Sequence, residues 1–194
     1  ISIASTYGAS KTFTAASNAA ECELSFAADP SLAANDIVEV TSGWGRMDKR
    51  LARIKSVSGS GPYLAVLEGV NTTDTDDYPA LGGAGTVREV SAWTEVTQIK
   101  GVSTSGGDQQ FADITTMSDV VARNTPTIRS AVSMELEVFD DPTLSWYATV
   151  TTASDSSTPY GLKMAFPNGS KLYANTYWSL QKEPNIATNE AMTS

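Results

Sequence analysis

The stretch "DIVEVTSGWGRMDKRLARIKSVSGSGPYLAVLEGV", residues 36–70, decides the fold class. It contains three runs rich in Val, Ile and Leu, joined by Gly-Trp-Gly at 43–45 and Gly-Ser-Gly-Pro at 59–62. Short runs of this composition, separated by glycine and proline, are typical of strands connected by tight turns. The stretch therefore predicts three consecutive strands of a small β-barrel, SH3-like or similar.

The rest of the chain continues this pattern of short strands and turns. Further strand-length runs occupy 11–15, 20–27 and 85–92. Many short strands with frequent turn residues indicate an all-β architecture. We predict an additional β-rich domain over residues 1–92 and a second domain over residues 93–194.

The second half combines strands with one long polar segment. Residues 93–102 alternate as a strand, and residues 103–127 read as a long loop with a glycine pair near its start. Residues 128–139 alternate again, with apolar side chains on one face and polar side chains on the other. A loop as long as 103–127 is usually functional or is ordered by a partner.

One helix is predicted around residues 142–155. Asp141 is placed to cap it and Pro142 fits its first position. Helical spacing predicts a buried face, which comprises Leu144, Tyr147, Ala148 and Thr151.

The last predicted element is a hairpin around "FPNGSKLY", residues 166–173. Asn168-Gly169 lies between two alternating runs and predicts a type I′ turn, in which both central residues have positive φ. The second strand of this hairpin has one apolar and one polar face.

Composition excludes several classes of function. The 194 residues include a single cysteine and no histidine, and the formal net charge is −9. Without histidine a conventional catalytic triad and the commonest metal ligand are both missing, so we expect no enzyme, no metal and no cofactor. Cys22 alternates with charged neighbours and is interpreted as a core residue. No apolar run approaches the roughly 20 residues that span a membrane.

From residue 93 onward the order of segments resembles the major tail tube proteins of long, non-contractile-tailed (lambda-like) bacteriophages. The resemblance lies in "WTEVTQIKGVSTSGGDQQFADITTMSD" (93–119), the amphipathic strand after it, the Asp-Pro helix start and "FPNGSKLYANTYW" (166–178). It implies a mainly β fold, with a tail-tube-type β-sandwich flanked by one α-helix. The small barrel-like domain predicted over residues 1–92 does not fit the minimal family pattern and is an addition to it.

The resemblance also implies a function. In that family, hexameric rings stack into a tube, and the inner sheets of the subunits join into one β-barrel around a channel for double-stranded DNA. The implied partners are further copies of the chain, the tape measure protein and other tail proteins. The implied location is the virion tail, after synthesis in the cytoplasm of the host bacterium.

The acidic composition fits a conduit that repels DNA rather than binding it. Candidate channel-lining residues lie on the polar face of the predicted strand 128–139; they are Arg129, Ser133, Glu135 and Glu137. In the family a long loop orders on assembly, and the candidate assembly residues of the matching segment are Ser105, Gly106, Gly107, Asp108, Asp113, Asp119 and Arg123.

Two alternatives remain open at this point. One is a related tail terminator, tail completion or other tube-like protein, which would share the fold class and the ring. The other is a carbohydrate-binding surface module, since acidic β-sandwiches with Trp and Tyr on loops can bind sugars.

Overall fold

A computed structural model describes residues 1–183, which are mainly β with one short helix. The strands of the first half are β1 Ser2–Tyr7, β2 Lys11–Phe13, β3 Ala15–Ala16, β4 Glu23–Phe26, β5 Ile37–Ser42, β6 Arg50–Ser58, β7 Tyr63–Leu67 and β8 Gly85–Glu95. Those of the second half are β9 Ile99–Ser105, β10 Gln109–Asp113, β11 Asn124–Arg129, β12 Ser133–Val138, β13 Tyr160–Ala165 and β14 Lys171–Thr176, with helix α1 Ser145–Ser156 between β12 and β13.

Two compact units divide the described chain, and the first consists of residues 1–97 and 141–180. Its ten strands form one sheet in the order β14-β13-β1-β8-β5-β6-β7-β4-β3, with β2 paired to β8. The eleven-residue β8 pairs with β1 through its second half and with β5 and β2 through its first half. This long strand therefore connects the strands from both ends of the chain.

Strands β2 to β8 enclose the main hydrophobic core. Aliphatic side chains from β4, β5, β6 and β7 meet Phe13, Trp44 and Met47, which are almost completely buried. Trp44 also donates its indole N–H to the Pro79 carbonyl at 2.8 Å. Cys22 is buried in this core as predicted, and burial raises the pKa of its thiol.

The helix begins later than predicted and buries a different face. It starts at Ser145 and follows Leu144, whose side chain makes no capping hydrogen bond. Asp141 instead accepts hydrogen bonds from the amide and hydroxyl of Thr143, at 3.1 and 2.6 Å, so it shapes a turn before the helix. The buried residues are Trp146, Val150 and Ala153.

The predicted hairpin exists as β13 and β14, but its turn differs from the predicted type I′. Gly169 alone has positive φ (85°), and its amide bonds to the Phe166 carbonyl across Pro167 and Asn168. Proline fixes φ near −65°, which suits the first central position of a type I turn, followed here by glycine in the left-handed region. The Asn168 carboxamide then accepts hydrogen bonds from both the amide and the hydroxyl of Ser170.

The second unit is built on Gln98–Asp140, which we call the nested hairpin. Strand β9 pairs with β12, and within that loop β10 pairs with β11, in both cases antiparallel. The polar segment 103–127 is thus not a long loop, and the predicted strand 128–139 falls on two strands, β11 and β12, with an interruption at residues 130–132. The predicted strand 93–102 is also divided, because Gln98 has positive φ (60°) between β8 and β9.

These units differ from the predicted division into residues 1–92 and 93–194. A boundary after residue 92 falls inside β8, and the hairpin β13–β14 belongs to the same sheet as β1. Sequence order alone gives no sign of this, because the pairing of β1 with β13 joins residues about 160 positions apart.

Candidate assembly and channel-lining surfaces

The nested hairpin exposes most of its apolar side chains. Among the described residues thirteen large hydrophobic side chains are exposed, and nine of them lie in this unit. They are Val102, Phe111, Ile114, Met117, Val120, Val121, Ile128, Val132 and Phe139. Val138 is the one side chain among its described residues that is buried. So many exposed large hydrophobic side chains in one small unit favour an interaction site there.

The ladder of β9 and β12 has two chemically different faces. Residues directly opposite each other in a ladder lie on the same face. Leu136 is opposite Val102, and Met134 is opposite Thr104, which makes one face largely apolar. The other face is polar and is formed by three cross-strand pairs: Ser133 with Ser105, Glu135 with Ser103, and Glu137 with Gly101.

Small residues accompany both glutamates on this polar face. The hydroxyls of Ser105 and Ser133 are 2.8 Å apart and share a hydrogen bond. Lys100 donates to the Glu137 carboxylate at 2.7 Å, so that carboxylate is paired. Glu135 is exposed opposite a serine and supplies the negative charge that this face presents.

Three of the four predicted channel-lining residues therefore share one face, and the fourth does not lie in that ladder. Arg129 belongs to β11 and is opposite Gln109 in the ladder of β10 and β11. The sequence analysis missed Gly101 and Ser103, which complete the polar face from β9. Their alternation with Val102 and Thr104 is the signal that identifies them, although a single aliphatic side chain makes that signal weak.

A bend separates the two ladders at the predicted assembly residues Gly106 and Gly107, both with φ of 85°. A Cβ on Gly106 would lie 2.0 Å from the Ala131 carbonyl oxygen, so only glycine fits there. Beyond the bend, three hydrogen bonds join Asp108 and Ser130. The Asp108 amide donates to the Ser130 hydroxyl at 3.0 Å, and the Asp108 carbonyl accepts from the Ser130 amide at 2.9 Å and from the Ser130 hydroxyl at 3.4 Å.

Polar side chains hold the tip of the nested hairpin, residues 114–123. Asp113 accepts from the amide and hydroxyl of Thr115, at 2.8 and 2.5 Å, and Asp119 accepts from those of Thr116, at 2.8 and 2.9 Å. These hydrogen bonds lower the pKa of both aspartates. Arg123 completes the tip through an ion pair with Asp119 at 3.7 Å.

The same tip presents apolar side chains to solvent. Met117 and Val120 are fully exposed, at 108% and 99%, and Val121 is largely exposed. Four of the predicted assembly residues, Asp108, Asp113, Asp119 and Arg123, thus serve to shape the segment. The side chains available for contact are the hydrophobic ones, which the sequence analysis did not select.

Two further observations bear on the expected classes of site. Among residues 1–183 no group of three or more His, Cys, Asp or Glu side chains is arranged to hold a metal ion. Within the same residues, none of the helical structure has the length and hydrophobicity needed to cross a bilayer.

Comparison with known proteins decides among the alternatives left by the sequence. The family described as phage tail tube protein (TTP) matches residues 42–194. The match starts at the end of β5, so it includes residues 42–92, which the sequence analysis places in an additional domain. No curated protein and no solved structure shows a significant match. Since the family match covers well over half of the sequence, the chain belongs to the phage tail tube proteins, which are structural proteins of the virion tail.

Proposed function

We propose that this chain forms hexameric rings that stack into a tail tube, and that the tube encloses an acidic channel for double-stranded DNA. The observation that carries the proposal is the nested hairpin, which has an apolar face, a polar acidic face and a single buried side chain among its described residues.

The apolar side of the nested hairpin supports assembly. A two-stranded ribbon alone is marginally stable in water, and its apolar face requires cover. Neighbouring copies would cover Val102 and Leu136 in the ladder of β9 and β12. They would also cover Met117 and Val120 at the tip. Ladders from several copies that pair edge to edge also remove exposed strand edges.

The polar side supports a channel lining. Ser103, Ser133 and Gly101 are small and uncharged, and Glu135 adds a carboxylate that forms no ion pair with residues 1–183. Such a surface offers phosphates few donors and repels them through its net charge. Ser133, Glu135 and Glu137 are the proposed lining residues in β12. Arg129 is proposed to line the channel from the neighbouring ladder, where it would moderate the negative charge.

The proposed partners are those that the family resemblance implies. They are further copies of the chain, which form the rings and the tube, the tape measure protein and other tail proteins. The β-sandwich that the family resemblance implies, and the N-terminal barrel that the strand pattern of residues 1–92 predicts, belong to the same proposal.

Assembly of the purified chain is the direct test. Native mass spectrometry over a concentration series is expected to show a hexamer, and negative-stain images should show rings and tubes. Leu136→Gln, which makes the apolar face polar, is expected to abolish assembly, whereas Ser133→Ala on the opposite face should leave it intact.

Circular dichroism of both variants checks that the first unit remains folded. A chain that stays monomeric at every concentration, or rings with a symmetry other than sixfold, would overturn the proposal.

A further inference from the structure

A cleft of about 690 Å³ opens in the first unit between β6 and the turn that leads into β14. Arg50 and Arg53 line it from β6, and Lys171 and Tyr173 line it from β14. Val70 contributes to an apolar floor.

The cleft carries an excess of positive charge on a strongly acidic chain. Its one carboxylate, Glu68, is already hydrogen-bonded to Arg53, and this contact lowers the pKa of Glu68. Arg50 and Lys171 pair with no carboxylate of residues 1–183. Burial and the repulsion from Lys171 lower the pKa of Lys163, as expected near an uncompensated cation. The cleft is therefore electrostatically suited to an anionic partner.

A complementary segment follows the cleft residue Val70 in the chain. The loop 71–82, which we call the acidic loop, contains Asp74, Asp76 and Asp77, of which Asp77 pairs with Arg46 at 2.8 Å. The side chain of Asp74 accepts a hydrogen bond from the Asp76 amide at 3.0 Å and fixes the local turn. Asp76 is exposed.

Leu81 at the end of this loop is the second observation. Its side chain is fully exposed (102%), and its φ is 67°, a conformation that residues with a Cβ rarely adopt. Strained backbone that presents an unburied hydrophobic side chain is typical of binding loops.

We propose that the acidic loop of one copy docks in the basic cleft of a neighbouring copy. The aspartates would meet Arg50 and Lys171, while Leu81 would pack on the apolar floor beside Val70. Loop and cleft are formed by different residues, so each copy can give one and receive one, and such head-to-tail contacts extend without limit or close into rings. This inference rests on the proposed self-assembly and names the contact that would drive it.

Charge reversal provides the test, with tube formation by the full chain as the readout. Arg50→Glu with Lys171→Glu makes cleft and loop both negative, and Asp74→Lys with Asp76→Lys makes both positive. Each double variant alone is expected to raise the critical concentration for assembly at least about tenfold, because like charges then face each other. Lys11→Glu, a reversal outside the cleft, should leave the critical concentration unchanged.

An equimolar mixture of the two double variants is the decisive sample. Every contact between unlike variants pairs opposite charges again, so assembly is expected to return and to weaken with rising salt. Double variants that assemble like the wild type, or a mixture that stays unassembled, would overturn the docking. In the first case wild-type tubes still form and the proposed function stands, so the two failures are distinguishable.

Discussion

Arg88 binds both carboxylate oxygens of Glu39, with its Nη2 3.0 Å from Oε1 and 3.1 Å from Oε2, although Glu39 is only 2% exposed. Asn175 adds a hydrogen bond to Oε2 at 3.2 Å. The guanidinium lies 4.0 Å from the centre of the Tyr7 ring, and the Tyr7 hydroxyl accepts the Gly161 amide. Because these residues come from β1, β5, β8, β13 and β14, the pair connects both ends of the chain.

Removal of Arg88 is expected to destabilise the protein strongly. Arg88→Met leaves the Glu39 carboxylate buried without its partner, and the expected loss is about 3 kcal/mol in the free energy of unfolding. This value is at the low end for buried pairs because the arginine is partly exposed. Urea unfolding followed by tryptophan fluorescence measures it.

The double variant Glu39→Met with Arg88→Met serves as the comparison. It removes both charges, so we expect it to be more stable than Arg88→Met alone. Arg53→Met, which breaks the exposed pair with Glu68, should change stability little. Equal losses for Arg53→Met and Arg88→Met would contradict the importance of burial.

Two adjacent glycines in the nested hairpin are expected to respond differently to alanine. Both have φ of 85°, so either substitution introduces backbone strain of about 1 kcal/mol. At Gly107 the new Cβ would meet only the Val132 side chain, at 3.4 Å, whereas at Gly106 it would collide with a carbonyl oxygen. Gly106→Ala should therefore open the hairpin far more often than Gly107→Ala.

Hydrogen exchange at the amides of β9 and β12 measures this opening. Faster exchange in Gly106→Ala than in Gly107→Ala is expected throughout the ladder. Similar rates in the two variants would show that the bend tolerates a side chain at either position.

The tip of the nested hairpin is expected to loosen in acid. Hydrogen bonds from Thr115 and Thr116 lower the pKa of Asp113 and Asp119 below the ordinary 3.8. A group with a lowered folded-state pKa stabilises the fold fully above its unfolded pKa and loses this effect as the pH falls through the folded value. The tip should thus keep this stabilisation above about pH 4 and lose it progressively as the pH falls further, through the lowered folded-state pKa values.

Amide exchange at residues 114–123 across a pH series, corrected for intrinsic rates, checks this expectation. The variant Asp113→Asn with Asp119→Asn removes both titrating groups and should show no such transition. An unchanged transition in that variant would assign the acid sensitivity to other carboxylates.

Sequence patterns located the strands that are rich in large aliphatic residues and missed those with small or polar side chains. Residues 36–42, 49–57 and 63–70 are rich in Val, Ile and Leu and are separated by turn residues, and the structure confirms β5, β6 and β7 there. Strand β1, "SIASTY", lies between β8 and β13 and has only one large aliphatic side chain, so no pattern marks it. Strands β10 and β11 carry mainly polar residues, and their pairing depends on a bend that only Gly106 permits.

The positions of the candidate channel-lining residues were also predictable only in part from the sequence. Alternation alone placed Ser133, Glu135 and Glu137 on one face, and the ladder with β9 agrees. Arg129 lies in another ladder because the strand is interrupted at residues 130–132. This interruption lies opposite the bend at Gly106 and Gly107. A break that lies opposite residues about 25 positions away leaves no local trace in the sequence.

Reversal of the charge at one carboxylate on the polar face should make a channel that repels DNA bind it instead. Glu137 is paired with Lys100, whereas Glu135 is exposed opposite a serine, so Glu135→Lys places a free cation on the proposed lining. Tubes of this variant are expected to retain short double-stranded DNA at low salt and to release it as salt rises. Wild-type tubes should retain none, as measured by co-sedimentation.

Glu23→Lys supplies the matched control, because it changes the charge equally at an exposed position of β4 in the first unit. If the lining assignment is correct, retention by Glu23→Lys tubes stays near the wild-type level while that by Glu135→Lys tubes rises. Equal retention by both variants would place Glu135 outside the channel, because general surface charge would then explain the binding. The comparison thus separates the location of the carboxylate from its charge.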